Sequence, residues 1–138
     1  MARTPSTTKT RLDVITIGRC SVDLYGQQIG SRLEDVTSFA KSVGGCPANI
    51  AIGSARLGLK SALLTRVGNE PMGRYVLEQM AREGVATRGI ATDNERLTAL
   101  VLLAVENEHA FPLIFYRENC ADMALREADV EADFIGSA

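Results

Sequence analysis

Tryptophan is absent from the 138-residue sequence, histidine occurs once, and the aromatic rings amount to four Phe and three Tyr. So few rings disfavour a stacking platform for single-stranded nucleic acid. The lone His109 excludes a His-rich metal centre, and no metal site is expected. Neither sign of charge dominates: 15 Lys and Arg face 17 Asp and Glu, for a net charge of −2. The basic excess of a nucleic-acid binder is missing. So is any block of like charge that would make a solvating tail or a lipid-binding patch. The apolar stretch at Leu100–Val105 falls far short of the ~20 residues that span a bilayer. These absences argue against nucleic acid and membrane as partners.

Cysteine is scarce and odd in number. Cys20, Cys46 and Cys120 form no Cys-x-x-Cys, and no signal-peptide pattern stands before them. Reduced thiols in a cytoplasmic protein are therefore expected. What is present suffices for one domain, because 46% hydrophobic residues over this length can build a single core. Residues 1–11 hold Arg3, Lys9 and Arg11 among Ser and Thr, with no acid and no apolar face. A disordered tail is expected there rather than a transit peptide. The folded domain is expected over residues 12–138.

Periodicity divides that domain. Leu12–Ile17 (LDVITI), closed by Gly18, predicts a first strand. Residues 19–32, with Gly26 and Gly30, fit a short strand and turns. Alternation over Asp35–Val43 fits a strand with Phe39 and Val43 on one face. Gly44-Gly45 ends it. Pro47 is expected as the first residue of a helix with Ala48, Ala51, Ala55 and Ile52 on its buried stripe and Gly58 as its stop. Ser61–Val67 is the next strand. Asn69 is the expected cap of a second helix, with Pro71 in its first turn and Gly84 at its end. Met72, Val76, Leu77, Met80 and Ala81 would form its apolar face. Thr98–Val105 reads as extended, Glu106–Ala110 as a polar loop, Phe111–Tyr116 as the hairpin partner, and Glu127–Ile135 as a short helix. Strands alternating with helices imply an α/β fold, a parallel sheet covered on both faces with ribbons outside it.

The densest chemical signal is Gly44-Gly45-Cys46-Pro47-Ala48-Asn49. Two glycines let backbone approach a ligand closely, and the helix start offers unpaired N–H groups. Asn49 adds an amide that donates and accepts. The run suits a polyhydroxylated ligand, but pattern alone favours an ordinary strand-to-helix turn with Asn49 in solvent. Asp23 lies just beyond the first strand, where open α/β sheets bind ligands. It can take two sugar hydroxyls or cap a turn. Arg117 can hold a carboxylate bidentately or pair with Glu118 on the surface. Cys46, at a helix start, reads as a structural or reactive thiol, because a nucleophile needs a base and His109 stands in a distant loop.

Several motifs are missing. Gly18 belongs to no Gly-x-Gly-x-x-Gly run, and neither a P-loop nor a Gly-x-Ser-x-Gly elbow occurs. Residues 44–68, GGCPANIAIGSARLGLKSALLTRVG, resemble the first signature of the ribokinase-like (PfkB) carbohydrate kinases. The matching positions are Gly44, Gly45, Pro47, Asn49, Ala51, Gly58 and Gly68. VITIG, then Asp23, then the two glycines repeats the family's opening order. DVITIGRCSVDLYGQQIG, RLTALVLLAV and FPLIFYRENCADMAL are most similar to members that act on a dehydro-deoxy sugar acid of inositol catabolism. The resemblance covers roughly residues 12–135.

The resemblance implies the N-terminal part of a ribokinase-like doubly wound sheet with a β-ribbon lid, the lid strands falling within 23–43 and 88–117. Asp23, Gly44, Gly45 and Asn49 would bind sugar hydroxyls, and Arg117 would face a substrate carboxylate. ATP with Mg²⁺ would supply the γ-phosphoryl group for a primary hydroxyl of the sugar acid. Lids of the family often pair, so a homodimer through the lid is expected. The family's Gly-Ala-Gly-Asp segment, with its catalytic base, and its nucleotide pocket belong to a C-terminal half that this sequence does not match. A kinase fragment, inactive by itself and without a catalytic residue of its own, is thus expected. The alternatives are a non-catalytic sugar-binding remnant, or a family kinase for fructose or 2-keto-3-deoxygluconate.

Overall fold

The computed structural model describes residues 11–138, so the tail expected at 1–11 lies, apart from Arg11, outside the described residues. The elements run β1 (Val14–Ile17), β2 (Ser21–Gly26), β3 (Phe39–Gly44), α1 (Cys46–Arg56), β4 (Ser61–Gly68), α2 (Pro71–Arg82), β5 (Ile90–Asp93), β6 (Ala99–Leu103), β7 (Leu113–Tyr116) and α3 (Ala132–Ile135). Single 3-10 turns occur at Leu33–Asp35, Ala121–Met123 and Glu127–Asp129. The strands form two sheets. One is parallel, in the order β1-β4-β5; the other is mixed, in the order β3-β2-β6-β7.

β4 organises the first sheet, and every one of its residues is buried. A strand covered on both faces is apolar on both, which is why SALLTRVG shows little alternation. Leu63 and Val67 point to one side, into a core with Ala48 and Ala51 of α1 and Val76 and Met80 of α2. Ala62 and Leu64 point to the other, against Leu12 and Phe134 of α3. Helices therefore cover both faces of the parallel sheet. Small residues on α1 let it approach closely enough for strand hydroxyls to reach its carbonyls: Thr16 donates to the Pro47 carbonyl at 2.9 Å and Ser61 to the Ala51 carbonyl at 2.7 Å. The second sheet leans on the same core through Val22, Leu24, Val43 and Leu100.

Four local expectations change. Gly45 is the residue before α1, so Pro47 occupies the second helical position rather than the first. Glu70, not Asn69, caps α2: its longer side chain accepts from the N–H groups of Met72 and Gly73, while Asn69 donates to Asn94. Ala81 is exposed and does not join the α2 stripe, because the face is narrower than the pattern suggested. The single helix expected at Glu127–Ile135 is split into a 3-10 turn and α3, with extended backbone at Val130 and Glu131 between them.

One strand escaped the sequence reading. Ile90–Asp93 pairs with Thr65–Gly68 in parallel and extends the core sheet. Its end is fixed by Arg66, whose guanidinium is 8% exposed and pairs with Asp93 at 3.2 Å and Asp129 at 2.8 Å.

Candidate functional site

The Gly44-Gly45 turn is built by exclusion. A Cβ on Gly44 would coincide with the carboxylate of Asp23, so glycine here is what lets that side chain lie flat on the neighbouring strand. Gly45 has φ of +97°, in the region that favours glycine, and a Cβ there would stand 2.6 Å from the Arg19 carbonyl oxygen. The loop joining β1 to β2 thus presses directly on the start of α1.

Register then sets which groups share a face. Asp23 of β2 stands opposite Ser42 of β3 and beside Val101 of β6, and Val101 stands opposite Phe115 of β7. Partners across a ladder project from the same side. Val22 is buried in the core and the half-buried Leu24 packs against it, so the alternate residues Ser21 and Asp23 project from the other face of the strand. Asp23 is half-buried and accepts a 2.8 Å hydrogen bond from the Ser21 hydroxyl. Its carboxylate keeps acceptor capacity for further donors.

Asn49 sits one turn into α1, exposed, with its backbone N–H bonded to the Gly45 carbonyl at 2.9 Å. Cys46, the first helical residue, is also exposed. Cys20 is fully buried, and burial pushes its thiol up to about 11. Burial likewise raises the Cys120 thiol. Among the three thiols, Cys46 alone is open to solvent. His109 is 85% exposed in its loop, as expected of a solvated residue.

Arg117 does not pair with Glu118. Its Nη2 lies 3.6 Å from Asp122, whose side chain is 1% exposed in the 3-10 turn after β7. The same carboxylate oxygen accepts from Arg19 Nε at 2.6 Å and from the Cys20 N–H at 3.2 Å. Arg19 also donates to the Arg117 carbonyl at 3.3 Å. Since Arg19 and Cys20 press on Gly45, the chain of contacts runs from the Gly-Gly turn through the β1–β2 loop to Asp122 and Arg117. Sequence reading missed Arg19 and Asp122. Their signal was faint: an arginine beside the first strand, and an acid in Asn119-Cys120-Ala121-Asp122, each ordinary by itself.

The structure sets Asp23 on Gly44, with Gly45 and Asn49 following at the start of α1, and ties Arg117 to them through Asp122. It does not put all five in one cavity. The cavity of about 730 Å³ at the end of β7 is lined by Thr98, Leu100, Tyr116, Arg117 and Asn119 among others, and neither Asp23 nor the Gly-Gly turn reaches it.

A metal ion does not fit the residues present. Among the described residues, no group of three His, Cys, Asp or Glu side chains could hold a metal ion. No phosphoryl-transfer step is assigned to these side chains. Nor, among the described residues, is any helix long and apolar enough to cross a membrane.

Comparison with known proteins finds similar chains. The model of the pfkB family carbohydrate kinases matches residues 11–138. A 5-dehydro-2-deoxygluconokinase of Geobacillus thermodenitrificans is 37% identical over 128 residues, 92% of this chain and 38% of that protein. A sugar kinase of Pyrococcus horikoshii, crystallised in complex with ATP, superposes with a TM-score of 0.81 at 35% identity over 88% of this chain and 39% of its own. A PfkB protein of Polaromonas sp. JS666 superposes at 0.85 with 33% identity over 92% and 42%. The chain thus spans about two-fifths of the length of the relatives it matches. The chain belongs to the pfkB family of carbohydrate kinases.

Proposed function

We propose that this chain is the sugar-binding part of an ATP-dependent kinase acting on a sugar acid, with 5-dehydro-2-deoxygluconate as substrate. One observation carries the reading: the Asp23 carboxylate lies on Gly44 at the start of α1, and an arginine, Arg117, is tied to that same turn. A carboxylate beside free helix N–H groups suits several hydroxyls. A guanidinium suits a carboxylate. Asp23, Gly44, Gly45 and Asn49 take the hydroxyls in this reading, and Arg117 takes the acid group. The second sheet is the lid over the sugar, with the Asp23 face inward. The relative from Geobacillus thermodenitrificans supports the choice of substrate by its name.

ATP and Mg²⁺ belong to the reading for a whole kinase, and the ATP complex of the Pyrococcus horikoshii protein supports them. For these 138 residues alone the reading is binding without turnover. A homodimer through the second sheet is part of the proposal. Leu113, Ile114, Phe115 and Tyr116 are all 45–57% exposed on a strand at the sheet's edge, and such an edge invites pairing.

Titration calorimetry tests this with 5-dehydro-2-deoxygluconate, 2-keto-3-deoxygluconate and fructose. The expected result is tightest binding of the first, with Asp23→Ala weakening all three and Arg117→Ala weakening only the acids. Preference for fructose would move the reading to a neutral-sugar kinase, and no binding of any sugar would defeat it.

A further inference from the structure

The group around Asp122 carries more charge than it balances. Two guanidiniums, Arg19 and Arg117, converge on one carboxylate. Both are partly shielded, with side-chain exposures of 40% and 23%, and Asp122 itself is all but sealed at 1%. A cation held away from water needs a counter-charge. Asp122 supplies one negative charge beside two positive ones, of which Arg117 is the more shielded.

The hydrogen bonding is incomplete in the same place. Asp122 spends one oxygen on Arg19, on the Cys20 N–H and on the approach to Arg117, while its other oxygen is buried without a hydrogen-bond partner. Arg117 Nε is also buried and unpartnered among the described residues. Such orphaned atoms are few in native proteins. Arg117 is not locked by Asp122, since 3.6 Å is beyond a hydrogen bond. It is steered by it, as an ion pair at that distance, with the guanidinium also lying over the Phe115 ring, 5.9 Å from its centroid.

We propose that Asp122 is a positioning residue that aims Arg117, with Arg19 as the second cation, at the carboxylate of the substrate, and so sets the preference for acid over neutral sugars. The inference rests on the sugar-acid reading above and adds to it two residues, Arg19 and Asp122. Asp122 acts through the arginines and does not touch the sugar. The chain brings this about by folding the 3-10 turn Ala121–Met123 against the β1–β2 loop, with the Ala121 N–H bonded to the Leu97 carbonyl at 2.9 Å to hold it there.

Asp122→Asn separates this role from two others. Asparagine keeps the shape and can still accept from Arg19, but it removes the charge that steers Arg117. The expected result is a fall of about tenfold or more in affinity for 5-dehydro-2-deoxygluconate, the size of one charged hydrogen bond, with fructose affinity unchanged. A simple counter-charge role predicts the opposite, because removing an acid leaves two bare cations and raises affinity for any anion. A structural role predicts that both sugars lose affinity together and that the melting temperature falls. Either of those results overturns the proposal. In an Arg19→Gln, Arg117→Ala background, Asp122→Asn should cost nothing further, and a full additional loss there also overturns it. Arg19→Gln, at a partly exposed position that tolerates change, provides a second test should Asp122→Asn fail to fold; it should lower acid affinity selectively, and equal affinities in variant and parent refute the second cation. A parent protein with no preference for acids overturns the sugar-acid reading and this inference together. A preference that survives Asp122→Asn overturns this inference alone.

Discussion

Replacing Gly45 by alanine should be among the most damaging single-methyl changes in the chain, and its cost follows from two separate terms. The backbone at Gly45 has φ of +97° and ψ of 132°, where an L-residue pays about 1–3 kcal/mol in strain. The new methyl would also stand 2.6 Å from the Arg19 carbonyl oxygen and 2.8 Å from Cys20 Cα. Both are backbone atoms, so no side-chain rotation relieves them. Overpacking of this kind costs about 1–3 kcal/mol. The sum, about 2–6 kcal/mol, is a large fraction of the ~5–15 kcal/mol that holds a domain folded. Gly53→Ala supplies the control. It lies inside the same helix, with nothing within 4 Å of its added methyl and no positive φ. There alanine should stabilise by about 0.5–1 kcal/mol, as helix propensity dictates. The assay is urea unfolding, read from midpoints at constant slope. Equal midpoints for the two variants, or a loss below about 1 kcal/mol at Gly45, would refute the claim that the β1–β2 loop presses on the turn.

Other expectations follow from the same contacts. Gly44→Ala places a methyl on the Asp23 carboxylate, so it should abolish sugar binding in calorimetry while the fold persists; undiminished affinity would remove Asp23 from the site. Arg66→Met takes the buried guanidinium away from Asp93 and Asp129 and should cost about 3 kcal/mol at neutral pH in denaturant titration. In the parent, N–H groups of Glu95 and Arg96 and the guanidinium of Arg66 hold Asp93 below the usual carboxylate range. At Asp129 burial opposes ionisation, but hydrogen bonds from Arg66 and the Arg126 N–H outweigh it. Stability from such depressed groups is complete above the unfolded value near about 3.9 and drains as pH falls through the folded values. The gap between Arg66→Met and the parent should therefore narrow in acid, and a constant gap would sink the assignment. Iodoacetamide near neutral pH should add one label to the native chain, at Cys46, because Cys20 and Cys120 are buried with raised thiols; native-state labelling of all three by mass spectrometry would contradict that. Ile114→Lys on β7 should shift sedimentation from dimer to monomer, and a parent already monomeric at micromolar concentration would refute the lid pairing.

Much of this was written in short stretches of sequence. The Gly44-Gly45 turn, the small-residue stripe of α1, Gly58 and Gly84 as helix stops, and the two-sided apolar run of β4 depend on backbone freedom and periodicity within a few residues, and local pattern is enough to state them. The order of Asp23, Gly44, Gly45 and Asn49 likewise carried the resemblance to the family. Nearby competition decided what pattern left ambiguous: Asn69 and Glu70 could each cap α2, and the longer side chain won because Thr98 at the start of β6 also donates its N–H to Glu70, at 3.1 Å. Only the tertiary structure drew Ile90–Asp93 into the core sheet, since a four-residue strand carries too little alternation to announce itself. Only it could show Asp122 beside Arg19, a pair 103 residues apart along the chain. Each is unremarkable where it stands in sequence. Their meaning comes from burial, which makes an unbalanced charge costly, and burial exists only once the 3-10 turn has folded onto the β1–β2 loop.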